Sequence, residues 1–168
     1  MGFKKTSELI AISFGIDESA LNTFTEDEVA LQLDILNNEV FVVLAADLNV
    51  KSPDMVSGTD SSSRGAVAST SFTVMPNLSN TNTIAVAQEA IRSDAPTNGV
   101  AFTREASESY AGNNLDYIAI IATNNFFVSC QGSGNLGAKG LDGRLWGYRA
   151  RADASTYAAL VQSEVLSA

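Results

Sequence analysis

The sequence predicts a mainly β protein, an antiparallel sandwich or barrel-like core with short helical segments at its N- and C-terminal ends. Three observations carry this. Strand-like runs of Val, Ile, Phe and Tyr are separated by clusters of Gly, Asn, Ser and Pro. No helical segments alternate between those runs, as a parallel α/β fold would require. Helix-capping patterns occur only toward the two ends of the chain. The 168 residues, 45% apolar, suit one domain large enough to fold without metal or disulfide. That domain divides into an acidic N-terminal segment (1–37), a β-rich core (38–152) and a helical tail (153–168).

In the N-terminal segment, Ser7 is placed to cap a short helix that stops at Gly15. Thr25-Glu26-Asp27-Glu28 has the form of a capping box, with Glu28 able to reach back to the Thr25 amide. The next stretch fits two periods. Val29, Leu33, Leu36 and Val40 make a helical stripe, whereas Leu31, Leu33 and Ile35 alternate with Gln32 and Asp34 as in a strand. Both remain open over 29–36, with strand slightly favoured by the clean alternation.

The core begins with the clearest strand. Val40, Val42, Leu44, Ala46, Leu48 and Val50 share one face, while the other face turns from Phe41 and Val43 to Asp47, Asn49 and Lys51. Residues 57–71 are rich in Ser, Thr and Gly and read as a loop. Shorter β-like runs follow at 71–75 and 83–91, then a loop at 93–99. The run DYIAIIATNNFFVSCQ (116–131) is apolar on both faces, as a strand between packed layers would be, with a bulge or turn marked by Asn124-Asn125. After a glycine-rich turn comes the strand around Trp146, and Asp153 caps a final helix carrying Tyr157, Leu160 and Val161.

Composition excludes several kinds of chemistry. With no His and a single Cys, there is no disulfide framework, zinc cluster or Ser-His-Asp triad. Cys130, inside an apolar run, reads as a small buried hydrophobe. A net charge of −9 argues against gripping phosphate backbones, so no nucleic-acid partner is expected. The longest apolar run, 40–46, is too short to cross a bilayer, and no signal-peptide pattern follows Lys4 and Lys5, so no membrane partner is expected.

Gly132-Ser133-Gly134-Asn135-Leu136-Gly137 matches a dinucleotide fingerprint, but no helix pattern opens at the third glycine, so it reads as a long hairpin loop. Asp47 and Asn49 lack calcium-loop spacing. No carboxylate pair stands beside an apolar pocket signature. No catalytic, cofactor-binding or metal-binding residues are therefore assigned, and no cofactor is expected.

The charge layout marks a candidate interface. Between Thr6 and Val50 there are nine acids and no base, while 126–152 holds Lys139, Arg144, Arg149 and Arg151 against Asp142 alone. On a strand, Arg144, Trp146 and Tyr148 share one face and Arg149 and Arg151 the other. These five residues, with Glu26, Asp27 and Glu28, form the candidate interface, because opposite charges on two segments pair and set register. Pairing within the chain and pairing between protomers both satisfy the pattern.

The segments EVFVVLAADLNV (39–50) and GRLWGYRARADASTYAALVQSE (143–164) resemble those of small virion structural proteins of tailed phages of marine bacteria. The likeness covers the first fifty and last fifty-five residues. It implies a non-enzymatic structural role in a virion, most simply a capsid decoration or cement subunit made in the host cytoplasm. Its implied partners are further copies of itself, a trimer suiting a local threefold axis, and a major capsid or other virion protein. A tail, connector or fibre position, or a loop-based module binding glycans or cell surfaces, is the alternative.

Overall fold

A computed structural model describes residues 3–105 and 108–168. Eleven strands and one helix are present among them: β1 (Phe3–Lys5), β2 (Ile10–Asp17), β3 (Thr25–Ala30), β4 (Glu39–Val50), β5 (Ser61–Ala68), β6 (Thr83–Asp94), β7 (Gly99–Glu105), β8 (Glu108–Tyr110), β9 (Ala119–Ile121), β10 (Asn125–Ser133), β11 (Gly140–Ala152) and α1 (Ala154–Leu166). All pairings are antiparallel. In one sheet β11 and β4 lie side by side, flanked by β1 and β2 on the β11 side and by β8 and β9 on the β4 side. The second sheet runs β3-β10-β5-β6-β7.

Setting aside β1, β7 and β8 leaves four-stranded sheets of order β2-β11-β4-β9 and β3-β10-β5-β6. Every connection among these strands except β5 to β6 passes from one sheet to the other. That order is a jelly roll, two Greek keys folded into a sandwich. Between the sheets lie Phe41, Val43, Leu48, Val67, Ile121, Phe126, Val128, Leu141 and Leu145, all buried. A smaller apolar layer on the outer face of the first sheet joins Val40, Val42, Ala122 and Ala150 to Tyr157, Leu160 and Val161 of α1. The sandwich therefore carries its helix on one outer face, and the helix begins where the sequence predicts, the Asp153 carboxylate accepting from the Thr156 amide at 2.8 Å.

Several local expectations change. No helix runs from Ser7 to Gly15: Ile10, Ile12, Phe14 and Ile16 alternate with exposed neighbours along β2, and that period of two places the larger residues on the core. The capping-box residues Thr25 to Glu28 are in strand β3, paired with Cys130 to Phe127 of β10. Pairing along a whole strand satisfies these amides more completely than one cap could. Over 29–36 the strand ends at Ala30, and only a 3-10 turn (Ile35–Asn37) follows.

The strand at 40–50 does not keep one face. The register passes from Trp146 opposite Ala45 to Gly147 opposite Val43, leaving Leu44 unpaired as a bulge. Phe41, Val43, Ala46, Leu48 and Val50 consequently face the sandwich core, whereas Val40, Val42 and Leu44 face α1. The bulge shifts the alternation by one residue, so odd-numbered positions face the core before it and even-numbered positions after it. Gly147 is fitted to the kink, since a Cβ there would lie 2.2 Å from the Val42 carbonyl oxygen and 2.7 Å from the Phe41 ring.

The Ser- and Gly-rich stretch is also a strand: β5 is central in its sheet, between β10 and β6, with Ser61, Ser63, Ala66, Val67 and Ala68 buried. Its neighbours' ladders, not its own propensity, hold it extended. Residues 71–75 are a connection rather than a strand, anchored where Glu26 accepts from Ser71 Oγ (2.5 Å) and the Phe72 amide (2.8 Å). The apolar run 116–131 divides at Thr123 and Asn124, β9 entering the first sheet and β10 the second.

Candidate interaction site

The glycine motif is bracketed by a polar network that uses up its amides. It joins β10 to β11 across the two sheets and is therefore not a hairpin. Buried Glu18 accepts from the Gly132 amide (2.6 Å) and the Lys139 amide (2.7 Å). Asp54 accepts from the amides of Leu136 and Gly137 and from Lys139 Nζ at 2.7 Å. Those contacts, led by the Lys139 ammonium, hold the Asp54 carboxyl below the usual carboxylate range. Asn135 donates to Ser62 O and accepts from the Asp54 amide. Gly134 turns the loop at φ +66°, where a Cβ would meet the Asp60 carbonyl. With amides of the loop spent on Glu18 and Asp54, this is a braced connection and offers no phosphate cradle.

The proposed interface residues fall in different places. Arg149 is occupied within its own chain: Nη1 donates to Gln32 O (2.9 Å) and Glu39 Oε1 (3.1 Å), and Nη2 to Leu31 O (2.8 Å). It pins the β3–β4 connection over the end of the core. Arg151 is exposed, with Glu39 and Lys4 as its strand partners. Tyr148 packs into the outer apolar layer beside α1, with the Lys5 ammonium 5.2 Å from its ring. Glu26, Asp27 and Glu28 lie on edge strand β3 of the opposite sheet, Glu26 accepting from the Ser71 hydroxyl and the Phe72 amide and Glu28 from Asn125. The structure does not bring these three acids to the arginines. Part of the charge imbalance is instead resolved within the chain, by Arg149 with Glu39 and by Lys51 with Asp17 at 2.5 Å.

Arg144 and Trp146 do lie together, on the outer face of the first sheet beyond the reach of α1. The strand register sets their surroundings in rows. One row crosses Ser13, Arg144, Asp47 and Glu108; the next crosses Ala11, Trp146, Ala45 and Tyr110. Asp142 sits opposite Asn49 in a third. Ala11 and Ala45, small on both sides of Trp146, leave the indole standing above the sheet. The guanidinium of Arg144 lies 5.7 Å from the indole centroid and donates to Ser13 Oγ at 3.1 Å. Tyr110 donates its hydroxyl to Asp47, and that carboxylate holds the phenol in its neutral form, pushed up to about 12. Asp47, Asn49, Glu108, Asp142, Arg144 and Trp146, with Arg104, line an open groove of about 380 Å³.

Asp47, Asn49, Glu108, Tyr110 and Asp142 were absent from the sequence-derived interface. The signal for Asp47 and Asn49 was the polar turn of the 47–51 end of β4; Glu108, Tyr110 and Asp142 reach the same place only through the pairing of β4 with β8 and β11. Among the described residues no cluster of three or more acidic or thiol groups is arranged to hold a metal ion. Cys130 is buried, and burial pushes its thiol up to about 11. No helix among the described residues is long and apolar enough to cross a membrane.

No family model matches this chain, and no curated protein matches it. Among solved structures it is similar to a chain from Desmodium yellow mottle tymovirus, with a TM-score of 0.28 and 11% identity over 88% of this chain and 91% of that one. A superposition that loose carries no weight beside the strand order, which identifies the fold directly.

Proposed function

We propose that this protein is a structural subunit of a virus particle, acting through protein–protein packing and not through catalysis. The observation that supports this best is the strand order, since jelly rolls of two Greek keys are a recurrent architecture of capsid domains. The finer reading is a capsid decoration or cement subunit of a tailed phage, self-associated and seated on a major capsid protein. It draws on the likeness of β4 and β11–α1 to such proteins.

The surface best suited to self-association is β7. All seven of its residues are exposed, including Val100 and Phe102, and among the described residues its one strand partner is β6. Its charges, Arg104 and Glu105, are confined to its C-terminal end, which leaves 99–103 as an uncharged edge. Cosedimentation with purified particles, quantitative mass spectrometry of their copy number and mass photometry of the free chain test the proposal together. A stoichiometric virion component that self-associates is the expected result. A protein absent from particles and monomeric at high concentration would overturn it.

A further inference from the structure

The groove beside Trp146 has a composition that protein packing alone does not call for. It is open, its walls are mostly charged, and it has one aromatic shelf. Arg104, Arg144 and Asn49 supply donors; Asp47, Asp142 and Glu108 supply carboxylate acceptors. At about 380 Å³ it falls toward the small end of the roughly 300–1,000 Å³ that ligand sites occupy.

We propose that this groove binds a neutral saccharide, one sugar ring lying against the Trp146 indole. A pyranose presents an apolar C–H face and a rim of hydroxyls, each of which both donates and accepts. An indole beside small neighbours matches the face. Carboxylates and a guanidinium placed one strand row away match the rim, a carboxylate being able to accept from two adjacent hydroxyls at once. Other ligand classes fit less well. Three carboxylates would repel a phosphate or a nucleic-acid backbone. A lipid or purely aromatic ligand would have to desolvate the five charged side chains that line the groove, and among the described residues the acidic groups are not arranged for a cation.

Two of the groove's polar side chains are fixed by neighbours in the chain, Asp47 by Tyr110 and Arg144 by Ser13. Such pre-arrangement lowers the cost of binding. A single shallow site would hold one sugar weakly, and repeated copies on a particle would raise the avidity without any new contact. The inference is independent of the virion role, since it rests on this groove alone.

Trp146 is the only tryptophan in the chain, so its fluorescence reports on the site directly. The test is titration of the full chain with neutral mono- and oligosaccharides, alongside a glycan array. The expected result is a saturable change in emission, at millimolar concentration or below, with a subset of neutral sugars. Glu108→Gln and Asp47→Asn, both one row from the indole, should each weaken that binding by about tenfold or more while melting as the parent does. Emission unmoved by any neutral sugar would overturn the proposal, as would full binding in both variants. So would emission that responds only to protein concentration, which would make the indole a contact between subunits.

Discussion

Replacing Glu164 should separate the two things its carboxylate does at the base of α1. The side chain is buried, its Oε1 accepts from the Ala122 amide at 2.8 Å, and its Oε2 has no partner. Thr83, whose buried hydroxyl is also unpartnered, lines the same small cavity between α1 and the sandwich. Burial raises the Glu164 carboxyl above its ordinary value, partly offset by the Ala122 amide and by the neighbouring Thr123 hydroxyl and amide. Its contribution to stability is therefore complete below the unfolded-state value, about 4.3, and is lost as pH rises through the higher folded value. Glu164→Gln keeps the acceptor for Ala122, removes the charge and supplies a donor where Oε2 now has none. Glu164→Ala leaves the buried Ala122 amide unsatisfied, at about 1–3 kcal/mol. For a chain of this size each kcal/mol moves Tm by roughly 2–4 °C. Thermal unfolding by circular dichroism from pH 4 to 8 should show the Gln variant gaining on the parent as pH rises, with the Ala variant several degrees lower at pH 4 and its deficit narrowing over the same range. A parent–Gln difference that does not change with pH, or a Gln variant less stable at pH 8, would refute this account of Glu164.

Gly147→Ala should lower stability by about 1–3 kcal/mol, read from urea midpoints, because its Cβ would overlap the Val42 carbonyl at the bulge. Arg149→Ala should destabilise the monomer by about 1.5–3 kcal/mol and speed amide exchange across 31–38, since the guanidinium holds Leu31 O, Gln32 O and Glu39. Its effect on mass-photometry distributions should be secondary to that loss. Cys130 should resist thiol reagents at pH 8 in the folded protein and react fully in denaturant, because it is buried with its thiol raised to about 11.

The sequence alone was enough to mark the chain as antiparallel β with a C-terminal helix, because side-chain alternation and the Asp153 cap are local signals. It also excluded His- and disulfide-based chemistry by composition. Tertiary structure decided what those local signals could not. The bulge at Leu44 splits one apolar strand between two layers, and a bulge leaves no mark in alternation when both faces are apolar. Ser61–Ala68 is central in its sheet because β6 and β10 close around it, although Ser and Gly carry little strand preference of their own. Glu26 to Glu28 resemble a helix start for the same reason in reverse: the cap motif is local, while the β10 ladder that extends them comes from about a hundred residues away in the chain. Charge imbalance pointed to pairing, but which arginine is spent within the chain and which lines a surface is set by register. Arg149 falls beside the β3–β4 connection, and Arg144, five residues earlier on the other face of β11, falls beside Trp146 in the open groove.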